Sequence, residues 1–533
     1  MRWPTAGQRL DAWPATPAGG AVSPTLTAAR VLGSMANIAA NRIGAQLDLA
    51  GPAFAVCAEE ASGSVALDLA VRALRAGEID AAVVGAVDLS DEPVHRAAAA
   101  ELGSTAQPAD AAVILVVKRL ADARADGDPV FALVGPQVGS GRPDLVIGDG
   151  GDFDPADLLG APHAARGLLA VASAALALRH RALPRSGQGA APWPTATTAD
   201  AVTGVLGAAP HRVRLRAADA EPWSPVPAPE VRVYSAADLP DVLTGSARLA
   251  VVGDQLPSAR RWLIEGGPRP AGVAFRAAPL GGDTAFVYTK GSAAYPGMGA
   301  DLMLAFPILA DMDGVDLAAW AYRGDGRPAD SLAQILGVGY LARLHTRISR
   351  EVLGIRPDAS IGYSSGESAA LVALGVWNDP TALAADARAS ELFTHELGGE
   401  LRAVRRYWSR TGIVGDQWAG FVVAADAEQV RAMVRDEIGV HLTAICAPGT
   451  CVIAGERQAC EAFVKRLEPG ACVRIDYDLV AHAPEVAEVR DRWHALHRRP
   501  CATVPGIRFY RGPPPTGTTR TRNRQPTRSP NRR

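Results

Sequence analysis

Ser364 stands at the centre of Gly362-Tyr363-Ser364-Ser365-Gly366, a G-x-S-x-G spacing suited to a nucleophilic hydroxyl. A serine hydroxyl is a weak nucleophile, and a sharp turn between a strand and a helix gives it what it lacks. The turn lifts the side chain clear of the backbone. The helix that follows aims unpaired N–H groups, that of Ser365 among them, at an oxyanion forming beside Ser364. Flanking glycines let that helix approach closely. A glycine-rich turn without chemistry is the competing reading, because a chain with 54 glycines can match the pattern by chance.

The neighbouring residues supply the elements such a turn needs. Leu332, Ile335, Leu344, Ile348 and Val352 recur at helical intervals, Gly354-Ile355-Arg356-Pro357 stops the helix, and a short strand ends at Ile361. Upstream, TAFVYTKGSAAYPGMGADLM is predicted as a strand running into a glycine-rich turn and a helix. It does not have the spacing of a phosphate-binding loop, because Lys290 precedes Gly291 instead of following a second glycine. Between Trp418 and Asp478, strand-like GFVVAA, VHLTAI, TCVIAG and CVRID are interleaved with helical stretches over 427–437 and 458–467. That βαββαβ order is the ferredoxin-like pattern. Nearer the N-terminus, apolar strand-like runs alternate with an alanine-rich helix over 65–76, so the fold class is α/β. Residues 186–229, rich in Pro, Ala and Thr without a sustained period, read as a linker. Beyond them VRVYSA, RLAVVG and GVAF alternate with a helix around 259–265.

Length and composition set the outer bounds. The 533 residues are 48% hydrophobic and 21% charged, enough for about three globular domains. A formal net charge of -2 gives no bulk attraction to nucleic acid or to an anionic membrane, and neither is expected as a partner. Cys57, Cys446, Cys451, Cys460, Cys472 and Cys501 show no zinc-like spacing and read as reduced core thiols, so no metal is expected. No apolar run reaches the roughly 18 residues of a membrane span, and the first residues lack a signal-peptide core, which points to the cytoplasm. Residues 511–533 are basic, without acids and without apolar residues other than proline, and are expected to form a disordered tail.

NRIGAQLDLAGPAF, ALDLAVRALRAGEIDAAVVGAVDL, PADAAVILVVKRLADARADGDPV and GLLAVASAALALRHRALP resemble, in order, segments of the beta-ketoacyl synthases. The resemblance implies a partial thiolase-like domain over residues 23–184. It puts Glu60 at the position of that family's nucleophilic cysteine and Ala161 at that of its second histidine, with no counterpart of the first histidine motif between Val117 and Gly160. A carboxylate cannot form an acyl thioester. The domain is therefore similar to the chain-length-factor type, whose role is to pair with an active ketosynthase. Cys57 is read as a buried structural thiol and His163 as a structural histidine.

The segment YTKGSAAYPGMG with GYSSGE downstream resembles the opening of malonyl-CoA:acyl-carrier-protein acyltransferases, including those of polyketide and polyunsaturated fatty acid synthases. The resemblance covers 283–510, with an α/β-hydrolase-like core and the ferredoxin-like insert at 418–478, and a linker and adaptor precede it at 185–280. It implies Ser364 as nucleophile, with Tyr363 where the family has histidine. Gly291 falls where a family glutamine offers a backbone N–H, which with that of Ser365 would make the oxyanion hole. His482-Ala483-Pro484 resembles the family's H-S-P, making His482 the base that takes the Ser364 proton and later activates a phosphopantetheine thiol. Arg388 is the nearest candidate for the arginine that pairs a malonyl carboxylate in that family, although a small length difference would put Ser390 at the position instead. Leu479-Val480-Ala481-His482 matches neither acyl-selective pattern, so the acyl group stays open. No bound cofactor is implied. The substrates would be CoA and phosphopantetheine thioesters, and the partners an acyl carrier protein with an active ketosynthase or a second copy. The resemblance ends near Tyr510, short of the group that orients the histidine, and so implies a Ser364–His482 pair that is poorly aligned and slow. An α/β-hydrolase esterase or thioesterase, and a non-catalytic synthase remnant, are the alternatives.

Overall fold

The computed structural model describes residues 27–28, 31–32, 35–101, 106–135, 141–187, 189–205, 208–219, 230–323, 330–475, 477 and 479–510. The expected basic tail lies outside them. The chain divides into two compact units: residues 1–225 with 300–311, and residues 226–299 with 312–533.

In the first unit, α1 (Ser62–Ala76) leads into β1 (Ala81–Leu89), which pairs antiparallel with β2 (Asp110–Lys118). Val84 and Ala86 of β1 point into the core, while Val83, Val87, Ile114 and Val116 occupy the exposed face. The central helix α2 (Arg166–His180) is apolar nearly all round, as a helix covered on several sides must be. Leu168, Val171, Ala174 and Leu178 bury it against Leu67, Ile147, Ala201 and Val213.

The linker expected at 186–229 is corrected by the structure. Residues 189–192, 198–205 and 208–216 are strands of the first unit, and Trp193, Ala199, Ala201 and Leu215 belong to its core. Alanine, frequent in these segments, carries a weak strand signal, and burial under α2 decides the matter there. Cys57 also departs from expectation. It is exposed, as are Cys446 and Cys501, whereas Cys451 and Cys460 are buried.

The second unit opens with a three-stranded antiparallel sheet, residues 231–235, 248–252 and 273–276, backed by a helix at 256–265. Three parallel strands follow: β3 (Ala285–Tyr288), β4 (Ala359–Gly362) and β5 (Arg508–Tyr510), with β4 in the centre. α3 (Ser331–Arg347) buries Leu332, Leu341 and Leu344, and Asp330 caps its start by accepting the Ala333 N–H. The inserted residues 418–475 form one sheet in which β6 (Trp418–Val423) lies between β8 (Thr450–Glu456) and β9 (Cys472–Ile475), with β7 (Val440–Ala447) on the outer side of β8. Every pairing is antiparallel, the ferredoxin-like arrangement. Among the described residues no helix is long and apolar enough to cross a membrane.

Candidate active site

Ser364 lies two residues past the end of β4, and α4 (Gly366–Ala373) begins two residues later. The turn is tied to β3 by the Tyr363 N–H donating to the Tyr288 carbonyl, and closed by the Glu367 N–H donating to the Ser364 carbonyl, both at 2.9 Å. Ser364 has φ 55°, a left-handed conformation that costs a side-chain-bearing residue about 1 kcal/mol or more and is held by what surrounds it. The glycines supply the room. A Cβ on Gly366 would lie 2.3 Å from the Tyr288 oxygen, and one on Gly362 would lie 2.2 Å from the Glu367 nitrogen.

His482 reaches this serine from 118 residues further along the chain, and its Nε2 lies 2.8 Å from Ser364 Oγ. The approach to it is anchored in the core: Val480 is fully buried, and its N–H donates to the Leu397 carbonyl at 2.8 Å. His482 itself has φ 57°. Loss of solvent around the ring lowers its pKa below the ordinary value; Glu367 pulls it upward, and Lys290 pushes it down. A neutral imidazole hydrogen-bonded to a hydroxyl is a ready general base. The poor alignment expected for this pair is not what the structure shows, because anchors that all precede Tyr510 hold the contact. Among the described residues no protein acceptor faces Nδ1 of His482.

Just past His482, Glu485 is fully buried. Its Oε1 accepts from Trp408 Nε1 at 2.9 Å and lies 3.1 Å from His441 Nε2 on β7, while Oε2 has no partner. Burial raises the Glu485 pKa, but the hydrogen bonds and the His441 charge outweigh it and leave the carboxyl below its usual range. Glu485 thus joins the His482 turn to the inserted sheet. Sequence reasoning missed it, although an acid three residues beyond a candidate base in LVAHAPEV was the available signal.

The Gly291 N–H, expected to face an oxyanion, donates instead to Ser365 Oγ at 2.9 Å. A glycine is needed there for packing, since its Cβ would lie 2.7 Å from Ile335 Cγ1 of α3. The Ser365 N–H, at the head of α4, has no protein acceptor among the described residues. Arg388 lies exposed in the last turn of a helix at 380–389 and makes no side-chain contact with Ser364 or His482. Other arginines of that region are engaged, Arg406 and Arg492 both pairing with Glu396 at 2.8 and 2.7 Å. In the first unit Glu60, in the short turn just before α1, lies 3.4 Å from His163 Nδ1, and Glu59 lies 3.1 Å from Nε2 of the same ring. Among the described residues no cluster of side chains is arranged to hold a metal.

Residues 16–127 match the family described as the beta-ketoacyl synthase, N-terminal domain. The chain is 27% identical over 254 residues to one component of the polyunsaturated fatty acid synthase of a Thraustochytrium species, covering 43% of this chain and 12% of that protein. It is 25% identical to polyketide synthase GfsA of Streptomyces halstedii, covering 89% of this chain and 8% of that one. The chain therefore spans about a tenth of the length of these curated relatives. A solved acyltransferase domain from the second module of the salinomycin polyketide synthase superposes with a TM-score of 0.40 at 23% identity, covering 50% of this chain and 62% of that one. The family match supports a ketosynthase-like region over residues 16–127, and the sequence similarity relates the chain more widely to polyketide and polyunsaturated fatty acid synthases.

Proposed function

We propose that the second unit moves an acyl group from a CoA thioester to the phosphopantetheine thiol of an acyl carrier protein through a seryl ester on Ser364, within a polyketide or polyunsaturated fatty acid synthase. The observation that carries this reading is the 2.8 Å contact between His482 Nε2 and Ser364 Oγ at a strained strand-to-helix turn. Neutral His482 accepts the serine proton as Oγ attacks the thioester carbonyl, and the Ser365 N–H meets the charge growing on the carbonyl oxygen. Collapse breaks the C–S bond, and the proton leaves with the CoA thiolate. In the second half-reaction the carrier thiol gives its proton to His482 and its sulfur attacks the ester. The C–O bond breaks, and Ser364 takes the proton back.

This chemistry needs no bound cofactor, because both thioesters are substrates. The first unit, with Glu60 where a condensing enzyme has its nucleophile, is read as a non-condensing partner for an active ketosynthase or a second copy. A cytoplasmic location belongs to the same reading. The test follows one acyl-CoA with and without added holo carrier protein. Acyl transfer to the carrier is expected, and hydrolysis at a rate indifferent to the carrier would instead indicate a thioesterase.

A further inference from the structure

The residue beside the candidate oxyanion loop that sequence reasoning set aside is a cation. Lys290 immediately precedes Gly291, and its Nζ stands 5.0 Å from the centroid of the Tyr363 ring. Tyr363 immediately precedes Ser364 and is itself fixed, its Oη lying 3.4 Å from Cys446 Sγ on β7. The ammonium is thus seated on the aromatic face next to the nucleophile, close enough to His482 to act on its charge state. Lys290 is half-buried, and among the described residues no carboxylate lies within ion-pair distance of it. A partly desolvated cation on the ring next to the nucleophile, with no carboxylate in ion-pair range among the described residues, is suited to receive an anion.

Two anionic parts of an acyl-CoA could be that anion. The phosphates are separated from the thioester carbon by the whole pantetheine arm. A free carboxylate on a malonyl-type acyl group is separated from it by a single carbon. Lys290 adjoins the loop beside Ser364, so only the second fits. We propose that Lys290, held on Tyr363, is the specificity-determining residue that pairs with the free carboxylate of a dicarboxylic acyl group and so discriminates it from a neutral acyl group of similar size. This rests on the acyl-transfer reading of Ser364. It also gives the exposed Arg388 no part in that selection.

The test compares malonyl-CoA with acetyl-CoA as acyl donors to the full chain, reading the rate of acyl-Ser364 formation by intact mass and peptide mapping. Lys290→Met should lower the malonyl-to-acetyl ratio of kcat/KM by about 10- to 100-fold, the scale of one charge-assisted contact. Lys290→Arg should restore most of it. The ratio is the informative readout, because any effect of the lost charge on His482 falls on both donors alike. The rate of Ser364 labelling by a fluorophosphonate reports whether the site of each variant is intact. A ratio unchanged in Lys290→Met, with Ser364 still acylated, overturns the proposal and leaves acyl transfer standing. No acylation of Ser364 by either donor in the unaltered chain overturns both.

Discussion

Replacing Glu485 tests how the candidate base is held. Glu485→Ala removes a fully buried carboxylate that accepts from Trp408 and faces His441, stranding both partners and leaving a void. Each hydrogen bond to a buried charge contributes about 1.5–3 kcal/mol, and because both use Oε1 they do not sum. A buried donor left without its acceptor costs about 1–3 kcal/mol and the void left by the side chain adds to it, so the local effect is about 3–4 kcal/mol. At 1.4 kcal/mol per factor of ten, amide exchange from opening of the 404–411 and 484–497 segments should accelerate about 10²- to 10³-fold. Hydrogen exchange read by mass spectrometry resolves those segments without requiring a single transition for a two-unit chain. The strained His482 turn should relax with them, and fluorophosphonate labelling of Ser364, corrected for the folded fraction, should slow. The same link has a pH signature. A carboxyl held below its usual pKa stabilises the fold above its unfolded value, about 4.3, and loses that contribution as pH falls through its folded value. Protection of the 484–497 segment should therefore decline below about pH 4.3 in the unaltered chain, and Glu485→Gln should remove that dependence. Exchange and labelling in Glu485→Ala indistinguishable from the unaltered chain would refute the link.

Two further outcomes follow from the site geometry. Because the His482 pKa is lowered, the base stays neutral into mildly acidic solution, and the rate of Ser364 acylation should fall only at pH values below the ordinary histidine midpoint of about 6.5. A pH–rate profile with its acid limb above 6.5 would contradict this. Gly366→Ala sets a methyl 2.3 Å from the Tyr288 backbone oxygen, so the strand-to-helix turn must shift at a cost of about 1–3 kcal/mol, and Ser364 labelling should be lost while the separate first unit keeps its exchange pattern.

The local geometry of the turn was legible because its glycines are demanded by backbone contacts that leave no room for a Cβ, and such demands are written in the sequence. The βαββαβ order of the insert was legible from periodicity and loop spacing. Residues 186–229 were not. Strands built from Ala199, Ala201 and Val213 owe their state to the helix packed over them, which no local pattern records. Cys57 was assigned to the core from apolar neighbours, yet the segment around it, including Phe54, is exposed. Arg388 was the arginine that the family resemblance suggested, but its place along a helix does not say which way the helix presents it. Lys290 failed a phosphate-loop spacing test and was left without a role, because its place over Tyr363 depends on two parallel strands meeting from far apart in the chain. The misalignment expected of His482 came from counting the chain beyond it. The hold on that residue comes from Val480 and Glu485 on either side of it.

Whether Ser364 carries the acyl group is decided by one labelling experiment. Radiolabelled malonyl-CoA is added to the full chain, the reaction is quenched in acid, and the label is located by peptide mapping. The predicted result is label on the peptide spanning 361–377, discharged by holo carrier protein, absent from Ser364→Ala and slowed by about 10³-fold or more in His482→Ala. Label on another residue of the chain, or its persistence in Ser364→Ala, would contradict it.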